Sequence, residues 1–180
     1  MTRAVLTYRE YAALPDDWRR YEIHDGELSV TPVAGTKHQI ISANLGDVLR
    51  QHVKSRGLGL VLYAPLDVIL SDTTIVQPDI VFVATDRRSA VSERGIEGAP
   101  TLVVEILSPS TTRIDRVTKL QLYARYGVPF YWLIDSEARA LEAYTLGAQE
   151  YSIALRASGS DPIAPPPFGD LALVPASLFP

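Results

Sequence analysis

Gln77-Pro78-Asp79-Ile80-Val81-Phe82-Val83, followed by Thr101-Leu102-Val103-Val104-Glu105-Ile106-Leu107-Ser108-Pro109-Ser110, decides how this chain is built. Each stretch is a short apolar run rich in Val, Ile and Leu that holds one lone carboxylate. Runs of this length read as buried sheet strands, although periodicity alone leaves a buried helical segment open. A carboxylate inside such a run costs several kcal/mol unless it has a cation, a proton or hydrogen-bond donors. Two of them on neighbouring strands make a hard-cation site, the kind that sets water against a phosphate ester.

Outward from these runs the pattern predicts the other elements. Thr7-Tyr8-Arg9-Glu10 has capping-box spacing and opens a short helix to Leu14, closed by Pro15. Alternating segments at 21–24 and 27–30 flank Asp25-Gly26, a strong hairpin signal. From Thr36 to about Arg56, Ile41, Leu45, Val48 and His52, flanked by Ile40, Leu49 and Val53, keep helical spacing. Strands are expected at 60–63, 66–70 and 76–83, and 87–100 is polar and loop-like. After the strand at 101–107, a helix over 112–126 ends at Gly127. Further strands are expected at 130–135, 141–146 and 151–155, with a short edge strand at 171–174. This order predicts an α/β fold, a sheet flanked by helices.

The 180 residues suit a single domain, with a core at about 36–135 and the N-terminal helix and hairpin and the C-terminal strands as additions. A hydrophobic fraction of 47% and a charged fraction of 21% are globular values. The net charge of −4 means that a polyanionic partner needs a local basic patch. There is no cysteine, which excludes disulfides, thiolate zinc sites and cysteine nucleophiles. Neither a signal-peptide pattern nor a membrane-length apolar run occurs, so a soluble cytoplasmic protein is expected. The G-x-S-x-G elbow, the phosphate-binding G-x-x-x-x-G-K-[ST] loop and the G-x-G-x-x-G turn are all absent.

Several residues can carry chemistry. Asp79 after Pro78 suits a strand mouth, and a turn or cap is its bland role. Glu105 has no polar neighbour in its strand, so it needs either a metal or a buried Arg or Lys. The Ile106 carbonyl adds a third hard oxygen, and Mg²⁺ or Mn²⁺ favours such a set. On the following helix, Val117, Leu120 and Ala124 form an apolar stripe expected to pack on the sheet. Asp115, Lys119 and Tyr123 form a separate stripe. There Asp115 and Lys119 are either an exposed ion pair or, with Lys119 turned to the strand ends, groups that stabilise phosphate charge. Gln77 and Glu22 are further candidates, Glu22 with Glu27 bracketing the hairpin turn, where surface carboxylates are the commoner outcome. His38 suits a site near the strand ends, whereas His52 suits the core. Arg87, Arg88, Arg113 and Arg116 are either a solvated surface or a phosphate-guiding rim. No paired histidine spacing suggests zinc.

Gln77-Pro78-Asp79, Val104-Glu105-Ile106-Leu107-Ser108-Pro109-Ser110-Thr111, Asp115, Lys119, Tyr123, Gly127-Val128 and Tyr131-Trp132-Leu133-Ile134-Asp135 together resemble the Uma-two family. These are bacterial restriction-endonuclease-like proteins of the PD-(D/E)XK nuclease superfamily. Tyr21-Glu22-Ile23-His24-Asp25-Gly26-Glu27-Leu28 and Ala64-Pro65-Leu66-Asp67-Val68 extend the resemblance, which covers most of the chain to about Tyr144. It implies a restriction-endonuclease-like mixed β-sheet flanked by helices and Mg²⁺-dependent endonuclease action on DNA. Asp79 and Glu105 would be the catalytic carboxylates, and with the Ile106 carbonyl would hold the metal. The superfamily lysine position, two residues after the glutamate, is Leu107 here; the resemblance implies that Lys119, from the helix, replaces it. A homodimer would follow from cutting both strands of a duplex. The contrasting reading is a binding protein that keeps the fold, with Glu105 neutralised by Lys119.

Overall fold

The computed structural model describes residues 5–180. A short helix α1 (Tyr8–Tyr11) precedes the hairpin β1 (Arg20–His24) and β2 (Glu27–Thr31), and the long helix α2 (Thr36–Arg56) follows. Then come β3 (Gly59–Tyr63), β4 (Val68–Ser71), β5 (Thr74–Val76), β6 (Ile80–Ala84), a 3₁₀ segment (Thr85–Ala90), β7 (Val91–Ser92), β8 (Gly95–Glu97) and β9 (Leu102–Leu107). A π-helical segment (Ile114–Lys119) leads into α3 (Leu120–Arg125). The strands β10 (Phe130–Asp135), β11 (Ala140–Leu146) and β12 (Tyr151–Ser158) and a 3₁₀ turn (Pro175–Leu178) complete the chain.

The strands form two mixed sheets. The main one runs β12-β11-β10-β9-β6-β3, and the second runs β2-β1-β5-β4-β8-β7. β9 and β10 pair in parallel, with Glu105 beside Leu133, and the π segment and α3 make their crossover. Every residue of β9 is buried, because both faces of the main sheet are covered. Ile80, Val104, Ile106 and Trp132 pack with Ile41, Leu45 and Leu49 of α2 and with Phe168 and Leu173 of the tail. Val81, Val103 and Leu133 pack on the opposite face with Val68, Val76 and Ile96 of the second sheet and Tyr123. The fold is thus a mixed α/β arrangement of two mixed sheets flanked by helices, instead of the single sheet expected. Among the described residues no helix is long and apolar enough to cross a membrane.

Several expected elements differ in detail. Asp25 and Gly26 take the positive φ values (52° and 81°) that a two-residue hairpin turn demands, as the sequence suggests. The run expected as a strand at 76–83 is divided: Val76 ends β5 in one sheet and Ile80 opens β6 in the other. Pro78 has no N–H to continue a ladder, and the Gln77 N–H is given to the Glu22 carboxylate at 2.7 Å. The polar stretch at 87–100 contains β7 and β8, strands too short for periodicity to mark. At 171–174 there is only an isolated bridge between Ile163 and Leu173. The first helix stops at Tyr11, short of Leu14; the Glu10 carboxylate does reach back to the Thr7 N–H at 2.9 Å.

Candidate functional site

β6 and β9 are antiparallel, with Ile80 opposite Val104. One step further along this register, Asp79 comes opposite Glu105. Alternation sends both side chains to the sheet face that carries Val81 and Val103, toward the π segment and the second sheet. Both residues are buried, and both line one cavity of about 180 Å³ with Arg20, Glu22, His38, Asp115 and Lys119. Its outer walls are the β2–α2 loop, from Thr31 to Gly35, and the loop after β9, with Ser108, Ser110 and Thr111.

Lys119 is the hub. Its Nζ lies 2.9 Å from Glu105 Oε1, 2.9 Å from Glu22 Oε1 and 3.6 Å from Asp115 Oδ1. Tyr123 also donates to Glu105 Oε1, at 2.8 Å. Glu22 Oε2 faces His24 Nε2 at 3.2 Å. Asp79 is held separately: Arg20 donates to its Oδ1 at 2.9 Å, the Ile106 N–H to its Oδ2 at 2.7 Å, and His38 Nε2 lies 3.0 Å from that oxygen. The sequence neighbour of the hub, Arg116, turns outward and bonds Glu142 at 2.9 Å and Asp135 at 3.2 Å. That clamp ties the π segment to β10 and β11. Local π geometry of this kind occurs at functional sites, where one helical turn is widened to aim side chains.

The expected packing of this helix holds for Leu120, which packs against the core, and fails for Val117. Val117, placed by its spacing on the sheet side, is 50% exposed, while Asp115, Lys119 and Tyr123 are buried. The cause is electrostatic: buried Glu105 and Glu22 need an ammonium and a hydroxyl, and the polar stripe supplies them. The exposed ion pair considered for Asp115 and Lys119 is therefore overturned, as is a surface position for Glu22.

Burial drives the Glu105 carboxyl well above the usual carboxylate range; Lys119 opposes this, and Asp115, Asp79 and Glu22 reinforce it. Asp115 is raised by burial too, against the pull of Lys119. Burial would also raise Glu22, but Lys119 and His24 outweigh it and hold its carboxyl at about 2. For Asp79, burial is outweighed by His38, Arg20 and the Ile106 N–H, so its carboxyl is lowered. Burial disfavours the Lys119 ammonium, but its three carboxylates overcome this and raise it.

A depressed folded-state carboxyl gives stability that is present above its unfolded value and lost as pH falls through the folded one. Glu22 is therefore expected to contribute an acid-unfolding phase between about pH 4.5 and about pH 2. In Glu22→Gln that phase disappears from a fluorescence-monitored acid titration. An unchanged profile would show that Glu22 does not feel Lys119.

The structure thus gathers Asp79, Glu105, Lys119, Asp115, Glu22, His38 and Ile106 around one cavity. The Gln77 side chain points elsewhere, donating to Tyr11 Oη at 3.0 Å and Asp67 Oδ1 at 2.9 Å. The four arginines do not form one rim. Arg87 and Arg88 follow the far end of β6, with Arg87 bonded to the Ala99 carbonyl at 3.1 Å, and Arg116 is engaged by Glu142. Only Arg113, exposed between the wall residues Thr111 and Ile114, stands by the cavity. Arg20 is the cavity residue that sequence reasoning missed, since Arg19-Arg20 before a strand looks like any solvated pair. His52 is in the core, edge-on to Phe168.

The donor set suits a hard divalent cation. Four carboxylates line the cavity against two permanent cations, Arg20 and Lys119. Burial raises the Glu105 carboxyl and the neighbouring Asp115, Asp79 and Glu22 add to this, a repulsion that a bound divalent ion would offset. Asp79 receives three donors, one fewer than its roughly four lone-pair directions. Among the described residues no three Asp, Glu or His side chains form a ready-made cage. Magnesium, typically held by one or two carboxylates and several waters, needs none.

A family model described as "Uma2: Putative restriction endonuclease" matches residues 8–176. A crystal structure described as a "putative nuclease belonging to DUF820" from Anabaena variabilis shares the fold, with a TM-score of 0.78 over 97% of each chain at 23% identity. An uncharacterized protein of Synechocystis sp. is 29% identical over 141 residues, spanning 77% of this chain and 73% of that protein.

Proposed function

Because the chain belongs to the Uma2 family, we propose that it is a metal-dependent endonuclease that hydrolyses phosphodiester bonds of DNA. The observation that carries this reading is the convergence of Asp79 and Glu105, from adjacent strands, on one acidic cavity beside a buried ammonium. The match over 8–176 supports treating 1–180 as one restriction-endonuclease-like unit.

Asp79 and Glu105, with the Ile106 carbonyl, would hold Mg²⁺ or Mn²⁺. The bound ion supplies Lewis acidity to the phosphate and lowers the pKa of a coordinated water. The chain's own groups do the rest. Lys119 and Tyr123 fix one oxygen of Glu105, which sets the direction of the carboxylate. The Ile106 N–H and His38 do the same for Asp79. Arg20 and Lys119 bring positive charge to the inner wall of the cavity, where it stabilises negative charge developing on phosphate. Glu22 shares the ammonium with Glu105 and so sets how much of its charge Glu105 receives.

A second reading, a binding protein without catalysis, is favoured by one observation: Glu105 already has Lys119 and Tyr123 as partners. Calorimetric titration of Mn²⁺ separates the two. Wild type is expected to bind the ion, and Asp79→Asn to bind it at least about tenfold more weakly, the equivalent of roughly 1.4 kcal/mol. Labelled DNA and RNA incubated with Mg²⁺ then identify the polymer that is cut. Absence of metal binding and cleavage in wild type would leave the binding reading.

A further inference from the structure

Trp18 is 88% exposed, although the other tryptophan, Trp132, is fully buried. Its backbone has φ 69°, the left-handed region that an aromatic residue rarely adopts. The residues around it are pinned. The Asp17 carboxylate accepts from Arg19 Nε at 2.9 Å and from Tyr21 Oη at 2.9 Å. The Arg19 guanidinium sits 5.2 Å from the centre of the Tyr21 ring, and Tyr21 is locked into β1 opposite Val30. A closed local loop therefore presents the indole to solvent from an ordered base, which reduces the entropy lost when a ligand covers it.

The place of Trp18 in the fold gives it a role. It stands two residues before Arg20, so its Cα lies within about 7 Å of a residue on the cavity wall. Arg20 pairs with Thr31, from which the wall continues through Pro32 to Val33, itself 65% exposed. The cavity is about 180 Å³ and bounded by two loops, so a phosphodiester group held in it would leave its flanking bases outside. Every nucleobase has an apolar face suited to an exposed aromatic ring.

We infer that Trp18 is a stacking platform for an unpaired nucleobase next to the phosphate in the cavity, so that the site takes single-stranded or frayed ends of nucleic acid. The inference rests on the proposed nuclease reading and adds the strandedness of the substrate.

Tryptophan fluorescence tests it directly, because Trp132 is buried and Trp18 is the solvent-facing emitter. Phosphorothioate-linked oligothymidylate, which resists cleavage and carries a terminal dye whose anisotropy reads binding in every variant, is titrated with and without Mg²⁺ into wild type, Trp18→Ala and Trp18→Phe. A blunt hairpin duplex is titrated in parallel. Oligothymidylate is expected to quench wild-type emission. Binding should weaken on the order of tenfold in Trp18→Ala, be largely kept in Trp18→Phe, and be weaker for the duplex. Unquenched binding that Trp18→Ala leaves intact overturns the role of Trp18 while the nuclease reading stands. So does a dimer lost in Trp18→Ala with nucleic-acid binding unaltered, which would assign the indole to a second copy of the chain. If wild type binds neither oligonucleotide under either condition, the nuclease reading falls and this inference with it.

Discussion

Glu105→Gln is expected to cut phosphodiester cleavage by about 10³-fold or more while leaving the fold at least as stable. The glutamine keeps the volume and can still accept from Lys119 and Tyr123, but it lacks the charge a hard cation needs. Losing several kcal/mol of transition-state stabilisation at roughly 1.4 kcal/mol per decade gives that factor. Stability moves the other way because burial drives the Glu105 carboxyl well above its usual range, and Lys119 retains Glu22 and Asp115. Single-turnover cleavage beside a thermal melt reads both quantities. A variant that cuts at the wild-type rate would show that Glu105 is no metal ligand.

Lys119→Met is expected to destabilise the protein by about 3–5 kcal/mol, the usual consequence of removing one partner from a buried charged group. The ammonium touches three buried carboxylates, and among the described residues no other cation forms an ion pair with Glu105. The pH dependence should change as well. Without Lys119, burial raises the folded-state carboxyls above their unfolded values. Raised carboxyls favour folding below the unfolded value, and that advantage is lost as pH rises through the folded one. Glu105 and Asp115 already behave this way in wild type, so the variant should gain more stability than wild type on mild acidification, because Lys119 no longer holds the Glu22 carboxyl down. Urea unfolding at pH 7 and at pH 5 measures both, and partial rescue by adding Glu22→Gln would follow from the same charge count. Wild-type stability at pH 7 would mean that the carboxylates do not depend on this lysine. The consequence for function is that lost activity in a Lys119 variant reports on assembly of the site as well as on chemistry. Tyr123, bonded to the same Glu105 oxygen, provides the milder perturbation.

Asp79 and Glu105 could be found in the sequence because a carboxylate in a run such as Leu-Val-Val-Glu-Ile-Leu violates local pattern. Helix α2 was equally legible: its apolar residues, from Ile40 to Val53, repeat at helical spacing, and Gly57 stops the helix. The orientation of the helix after β9 was not. Judged by hydrophobicity, Val117 faces inward; in the fold, Asp115 and Lys119 do, since a buried charge on one element dictates which face of the next must be polar. Arg20 and Glu22 were hard to assign because they reach the cavity from the hairpin, more than fifty residues before Asp79. Nor does local sequence reveal that Pro78 separates two sheets instead of interrupting one strand.

Short-range chemistry written along the chain was enough to determine the strands β6 and β9, their embedded carboxylates and a mixed α/β arrangement. Hydrophobic runs, turn residues and the cost of burying an ion all act over a few residues. Only the tertiary structure decided that four carboxylates, two fixed cations and a histidine share one cavity. Charge in a low-dielectric interior is balanced through space, and sequence separation does not measure that distance.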